Sequence, residues 1–187
     1  MNEYRLERYK GSIYMCGFMG AGKSTIGKQV AEHLDLPFKD LDKEIEESEQ
    51  KTIPELFSEE GEGYFREKEW EVLLHLTRTY QGVLALGGGA LHNQKVVDHL
   101  KLHGLLVFID APLKRIVHRV LRNPHRPIAR KTDGSLKTKQ DLLAELKSLY
   151  STREMFYQQA QIHISTKPFK KSSEVIPIVI EKIKRHV

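Results

Sequence analysis

The sequence predicts an α/β fold in which helices cover both faces of a parallel sheet. Three observations support this class. Short apolar runs alternate with amphipathic segments along the 187 residues. A phosphate-binding motif joins the first apolar run to the first helical segment. The all-apolar run at residues 83–86 is bounded by glycines, which is typical of a buried parallel strand that ends in a tight turn.

The opening unit is predicted to be strand, loop and helix. Residues 12–16 are apolar enough for a buried strand, and Ile26 and Val30 recur at helical spacing within residues 24–34. Pro37 then leads into a short extended segment, which we interpret as the second strand.

Two helical segments and the third strand follow. Residues 41–49 are helix-like, and residues 65–79 carry apolar side chains on one face. Gly61 and Gly63 predict a turn between these two helices. A further glycine ends the second helix before the strand at residues 83–86.

The second half of the chain repeats the alternation. Strands are predicted at residues 105–109 and 162–165, and helices at 94–102, 112–121, 142–156 and 174–184. Apolar periodicity disappears at residues 122–139, where Arg, Lys, Pro, Thr, Asp and Gly dominate. This composition is typical of a surface lid, which we place at about residues 119–140.

Size, charge and cysteine content restrict the class of protein. We expect a polar leader at residues 1–11 and one domain at 12–187. With Cys16 alone no internal disulfide can form, and no apolar stretch has the length of a membrane span, so we expect a cytoplasmic protein without a membrane partner. Acidic clusters at 40–49 and 58–69 interrupt any basic stripe, so the net charge of +5 favours anionic small molecules over nucleic acid.

The motif after the first strand is a complete phosphate-binding loop. It reads Gly17-Phe18-Met19-Gly20-Ala21-Gly22-Lys23-Ser24. Backbone N–H groups and the helix dipole converge on phosphates, the lysine reaches the β- and γ-phosphates, and the serine hydroxyl is a ligand for Mg²⁺. Thr25 either assists at the α-phosphate or caps the helix. The predicted nucleotide contacts are Gly20, Ala21, Gly22, Lys23, Ser24, Thr25, Arg119 and Arg126.

Two carboxylates lie where a phosphoryl-transfer site needs them. Asp40 and Asp42 follow the second strand and point the same way if the backbone is extended there. One could then hold Mg²⁺ through water while the other grips the acceptor hydroxyl. The alternative is that both cap the next helix.

Arginines suggest an anionic acceptor and a closing lid. Arg66 and Arg153 could together clamp a carboxylate, with Gly88 offering a backbone N–H nearby, although each could equally form a surface salt bridge. Arg126 in the lid, with Arg119 on the helix that leads to it, could stabilise charge on the transferred phosphoryl group and exclude water.

Taken in order, these motifs resemble the shikimate kinase family from about residue 12 onward. The resemblance rests on Gly17 to Gly27, Asp40-Leu41-Asp42, Phe65-Arg66, Gly87-Gly88-Gly89, Arg126-Pro127 and Arg153 to Tyr157. It implies a three-layer α/β/α kinase fold with a five-stranded parallel sheet and a mobile lid. It also implies ATP-dependent phosphorylation of the shikimate 3-hydroxyl, in the chorismate pathway toward aromatic amino acids.

The resemblance also implies roles for individual residues. Lys23, Asp42 and Arg126 would be catalytic, with Asp42 the candidate base or only an orienting group for the hydroxyl. Mg²⁺ would be held by Ser24 and, through water, by Asp40. The implied substrate contacts are Asp42, Arg66, Gly87, Gly88, Gly89 and Arg153.

The chain departs from the family pattern at two places. Ile128-Ala129 follows Arg126-Pro127 where the family usually has two leucines, and Arg153 is followed by Glu154-Met155-Phe156-Tyr157 where a proline and a leucine are common.

Other functions are compatible with the phosphate-binding loop, which does not identify the acceptor. The chain could phosphorylate gluconate or a nucleoside monophosphate. It could instead be a nucleotide-binding module without catalysis, or a basic protein that binds RNA. We expect a monomer whose partners are the small molecules shikimate and ATP.

Overall fold

The computed structural model describes residues 11–123, 127–131 and 134–187, and in them five strands alternate with helices. The strands are β1 (Ser12–Cys16), β2 (Phe38–Asp40), β3 (Val83–Ala85), β4 (Gly104–Asp110) and β5 (Ile162–Ser165). The helices are α1 (Lys23–Leu34), α2 (Leu41–Glu49), α3 (Ile53–Glu59), α4 (Gly61–Thr79), α5 (Gln94–His103), α6 (Leu113–Leu121), α7 (Lys139–Ser151), α8 (Glu154–Tyr157) and α9 (Ile176–His186).

The five strands form one parallel sheet in the order β2-β3-β1-β4-β5. Every residue of β1 and β3 is buried, as expected for a sheet with helices on both faces. This confirms the predicted fold class. Because all strands run the same way, the loop after β1, the end of β2 and the glycines after β3 meet at one edge of the sheet.

The predicted turn at Gly61 and Gly63 is wrong in its extent. Gly61 is the first residue of α4, and Gly63 lies inside that helix. Between α3 and α4 only Gly61 of the described residues has a left-handed conformation, with a φ of 83° that glycine adopts without strain.

The predicted helix at residues 142–156 is also wrong, because it consists of two helices. Thr138 caps the first of them by accepting a hydrogen bond from the Asp141 N–H, and α7 ends at Ser151. Arg153 lies in the break before α8, with a φ of −112°. The break matters because it places this arginine beside the glycines that follow β3.

The predicted lid includes the ends of two helices. Arg119 belongs to α6, and α7 begins at Lys139. Between them the described residues form a short 3₁₀ helix, Pro127–Ala129, and an antiparallel bridge between Arg130 and Leu136. Arg126 and the first ten residues of the leader lie outside the described residues. Over the part of the chain that is described, no helix is both long and apolar enough to cross a membrane.

Candidate active site

The phosphate-binding loop leaves the buried β1 and enters α1 through glycines in left-handed conformations. Gly17 has a φ of 139°, and a Cβ there would lie 2.5 Å from the carbonyl oxygen of Ile109. Gly22, with a φ of 106°, is the N-cap of α1, and no side chain of the described part of the chain caps the helix. The positive end of the α1 dipole favours an anion here, and the N-cap is Gly22 rather than Thr25.

Two cationic side chains contact the backbone of this loop. Lys23 is 7% exposed, and its Nζ donates a hydrogen bond to the Phe18 carbonyl oxygen at 3.1 Å. Arg119 reaches across from α6 and donates from Nη1 to the Gly20 carbonyl oxygen at 2.6 Å. Both positive charges thus lie beside the residues predicted to hold phosphates.

Asp40 caps α2, one of the two roles that the sequence left open, and it also bonds the phosphate-binding loop. As the last residue of β2 it accepts a hydrogen bond on Oδ2 from the Ser24 hydroxyl at 2.6 Å. Its Oδ1 accepts from the Asp42 N–H at 3.1 Å, so the same side chain caps α2. Asp42 does not continue the extended backbone, because it already lies in the first turn of the helix.

The Ser24–Asp40 pair suits Mg²⁺ in its donor chemistry. Mg²⁺ prefers oxygen ligands and keeps several waters, so one or two protein groups suffice beside nucleotide phosphates. The hydroxyl and the carboxylate are adjacent in a cleft where those phosphates would enter. Within the described residues no group of three or more His, Cys, Asp or Glu forms a closed metal site.

Asp42 has an unusual electrostatic environment. Burial raises the pKa of its carboxyl from 3.8 to about 6, and the negative charge of Asp40 adds to the shift. Lys23 opposes the shift, and Glu69 adds to it. The carboxyl is therefore ionised at neutral pH but poised to take up a proton in mild acid.

Glu69 is a residue that the sequence did not identify. It is 2% exposed, and its Oε2 accepts a hydrogen bond from Nη1 of Arg66 at 2.6 Å. Its Oε1 is buried and has no hydrogen-bond partner among the described residues. Burial raises the pKa of Glu69, and the guanidinium of Arg66 opposes that shift. The two residues share a face of α4 at a spacing of three, which was the only signal in the sequence.

Arg66 is not half of a solvated surface pair. Its side chain is only 20% exposed, and it bonds the buried Glu69 as well as Glu62 on the same helix. Arg153 is half-buried, and its charge also reaches Glu69. The two predicted clamp arginines therefore lie near one another although they come from distant parts of the chain.

The three glycines after β3 are enclosed by the predicted site residues. A Cβ on Gly87 would lie 2.6 Å from Oδ1 of Asp42, and a Cβ on Gly89 would lie 2.7 Å from the guanidinium of Arg66. Gly88 packs against the backbone of Met19 in the phosphate-binding loop. A side chain at Gly87 or Gly89 would displace a charged group, and one at Gly88 would press on the phosphate-binding loop.

A cleft of about 480 Å³ follows the loop and joins several of these groups. Its lining includes residues 19–26 of the phosphate-binding loop and α1, Asp40, Asp42, Gly88, Arg115, Arg119, Thr166, Lys170, Lys171, Ser172 and Val175. Arg66 and Arg153 do not line this cavity but lie beyond Gly88. Arg115, which the sequence did not identify, donates to the Thr166 carbonyl oxygen at 2.8 Å and so ties α6 to the segment after β5.

Comparison with known proteins identifies related sequences. The model of the family described as Shikimate kinase matches residues 19–184. The shikimate kinase of Brucella canis is 38% identical over 176 residues, which are 94% of this chain and 83% of that protein. The shikimate kinase of Aquifex aeolicus is 34% identical over 168 residues, which are 90% of this chain and 93% of that protein.

Solved structures agree with the sequence comparison. Shikimate kinase from Acinetobacter baumannii, solved in complex with shikimate, superposes with a TM-score of 0.82 at 31% identity and covers 97% of this chain and 98% of its own. Shikimate kinase from Bacteroides thetaiotaomicron gives a TM-score of 0.81 at 32% identity, over 94% of this chain and 97% of its own. A gluconokinase from Sinorhizobium meliloti shares the fold, with a TM-score of 0.57 at 16% identity.

Proposed function

The chain belongs to the shikimate kinase family, and we propose that it transfers the γ-phosphoryl group of ATP to the 3-hydroxyl of shikimate. One observation carries the proposal. The phosphate-binding loop and Asp42 line the same cleft, and Gly88 and Gly89 connect that cleft to Arg153 and Arg66, the two arginines suited to an acidic acceptor. A donor site and an acceptor site are thus adjacent, as in-line transfer requires.

The donor side is built from backbone amides and fixed charges. The N–H groups at the start of α1 and the Lys23 ammonium hold the β- and γ-phosphates of ATP. Ser24 and Asp40 would hold Mg²⁺, which when bound neutralises charge that develops on the phosphate oxygens. Arg119 supports the loop from α6 through the Gly20 carbonyl.

The acceptor side recognises a carboxylate and positions a hydroxyl. Arg66 and Arg153 present planar guanidinium groups that can bind the shikimate carboxylate in a bidentate manner. Asp42 accepts a hydrogen bond from the 3-hydroxyl and orients its oxygen toward the phosphoryl group. Because the transition state is loose, this orientation contributes more than early removal of the proton.

The domain bounds, the oligomeric state, the cellular location and the lid are proposed from the sequence. We propose that residues 12–187 act as one monomeric domain in the cytoplasm. We further propose that the lid, at about residues 119–140, closes so that Arg126 meets ATP and water is excluded from the transfer. The arginine contributes electrostatic stabilisation of the phosphoryl group.

A coupled assay of ADP release tests the function. The purified chain is supplied with MgATP and, separately, with shikimate, gluconate or AMP. We expect ADP release to depend on shikimate, because only that acceptor presents a ring carboxylate to the two arginines together with a hydroxyl for Asp42. ADP release that depends on gluconate or AMP and not on shikimate would contradict the proposal.

A further inference from the structure

The carbonyl oxygen of Gly88 accepts two hydrogen bonds from side chains. Nη1 of Arg153 donates to it at 3.1 Å, and the hydroxyl of Tyr157 donates to it at 3.0 Å. A carbonyl oxygen has two lone pairs, so both acceptor positions of this oxygen are used. The orientation of the Gly88 peptide is therefore set jointly by Arg153, which directly precedes α8, and Tyr157, the last residue of α8.

The Tyr157 ring is fixed independently of its hydroxyl. The side chain is 1% exposed, and its ring stacks on Phe108 at a centroid distance of 5.2 Å and an angle of 11°. Phe108 is on β4 and pairs with Cys16, the residue that directly precedes the phosphate-binding loop. A phenylalanine would fill the same space, so the hydroxyl serves the polar contact and not the packing. Burying that hydroxyl is tolerated because Gly88 satisfies it.

Arg153 depends on its neighbours for a defined position. It lies in the break between α7 and α8, where no regular helix constrains it on both sides. Burial raises the pKa of Tyr157, and the guanidinium of Arg153 opposes that shift by charge and by a hydrogen bond. Tyr157 and Arg153 thus form one cluster around the Gly88 carbonyl oxygen, which both side chains share as an acceptor.

We propose that Tyr157 is a positioning residue for the acceptor: its hydroxyl holds the Gly88 carbonyl and, through it, the guanidinium of Arg153. The affinity for a carboxylate acceptor then depends on a phenol that does not itself contact the substrate. The inference rests on the proposed function, since it assigns Arg153 to the shikimate carboxylate. The proposed phosphate-binding groups, Lys23 and the start of α1, do not belong to this cluster, so we expect the affinity for the nucleotide to be unchanged when only the Tyr157 hydroxyl is removed.

Tyr157→Phe tests this role because it removes one oxygen and leaves the stacked ring. We expect the KM for shikimate to rise roughly 2- to 10-fold, the range that corresponds to one hydrogen bond, with kcat and the KM for ATP unchanged. Tyr150→Phe is the matched control. Tyr150 belongs to the same aromatic group, packing on Phe18, and no hydrogen bond of its hydroxyl occurs among the described residues. This control should keep the wild-type KM for shikimate.

A double-mutant cycle separates positioning from general damage. In an Arg153→Ala background, Tyr157→Phe should have no further effect on the KM for shikimate, because the group it positions is gone. An unchanged KM in Tyr157→Phe, an equal rise in both backgrounds, or an equal rise in the KM for ATP would overturn the inference. If any of these results is found and the wild-type enzyme still phosphorylates shikimate, only the inference fails and the proposed function stands. Wild-type enzyme that releases no ADP with shikimate overturns both.

Discussion

The carboxyl groups of Asp42 and Glu69 lie beside the same glycine. A Cβ built on Gly87 would stand 2.6 Å from Oδ1 of Asp42 and 2.9 Å from Oε1 of Glu69. Each carboxyl is also buried, and the pKa of each is raised. Two partly desolvated negative charges at one point create a region that favours an added proton or a hydrogen-bond donor. A substrate hydroxyl is such a donor.

Turnover should depend on the ionisation of Asp42. Its pKa is raised to about 6, so the carboxylate that accepts the hydroxyl hydrogen bond is lost as the pH falls through about 6. We expect kcat/KM for shikimate to decline on that acidic limb, and Asp42→Asn to lower kcat much more than it weakens ATP binding. The measurement is a pH profile of ADP release. Normal turnover in Asp42→Asn would remove this residue from the mechanism.

The same pKa predicts how stability responds to pH. The carboxyl has a higher pKa in the folded chain than its ordinary 3.8, so folding takes up a proton between pH 3.8 and about 6. The free energy of unfolding therefore falls as the pH rises through this window. Above about pH 6 the folded protein bears the full cost of burying the charged carboxylate. Asp42→Asn should raise the Tm of the nucleotide-free protein at pH 8, and the difference should vanish near pH 4. A variant that is less stable than wild type at pH 8 would contradict the burial argument.

The glycine at position 87 should be essential for turnover but not for folding of the loop that binds ATP. In Gly87→Ala the new methyl group must displace the Asp42 carboxyl, so we expect a loss of kcat of at least about 100-fold, since a displacement near 1 Å at a reacting group has that effect. Titration calorimetry with MgADP should give a wild-type Kd.

Gly63→Ala is the matched control for this substitution. Gly63 lies inside α4, and a Cβ there would meet nothing within 4 Å. It should keep full activity and stabilise the protein by about 0.5–1 kcal/mol through helix propensity. If both alanine variants lose activity alike, the crowding at Gly87 does not explain the loss.

A lysine substitution at Arg66 tests whether the acceptor site needs a bidentate guanidinium or only a positive charge. Arg66→Lys keeps the charge but cannot form two parallel hydrogen bonds with a carboxylate, so we expect the KM for shikimate to rise at least about 10-fold while the KM for ATP is unchanged. Arg78→Lys, on an exposed position of the same helix, should leave both constants at their wild-type values. An unchanged KM in Arg66→Lys would exclude this residue from the acceptor site.

Much of the fold was predictable because local signals agreed with the tertiary structure. Each strand is a short apolar run, and the loop motif needs both a strand before it and a helix after it, as β1 and α1 provide. The break at Arg153 was not predictable. Apolar spacing continues across it, and the contact of Arg153 with the distant Gly88 carbonyl beside the break is one that sequence spacing does not encode.

The site was predictable where residue type alone implies chemistry. Asp40 and Asp42 were found from their spacing after β2, although the helix that starts at Leu41 changes how they point. Glu69 was not found, because a glutamate three residues from an arginine on a helix is ordinarily a solvated pair. Its burial comes from packing beside Gly87, a contact that sequence spacing does not encode. The roles of these residues in turnover remain predictions.

The transferred phosphate itself gives the most direct test of the central claim, that one cleft brings ATP and the shikimate 3-hydroxyl together. Phosphorus-31 NMR of a reaction with MgATP and shikimate should show a new phosphate monoester, coupled to the proton on carbon 3 and formed in equal amount with ADP. Inorganic phosphate as the sole new signal beside ADP, or a monoester on another carbon, would contradict the account.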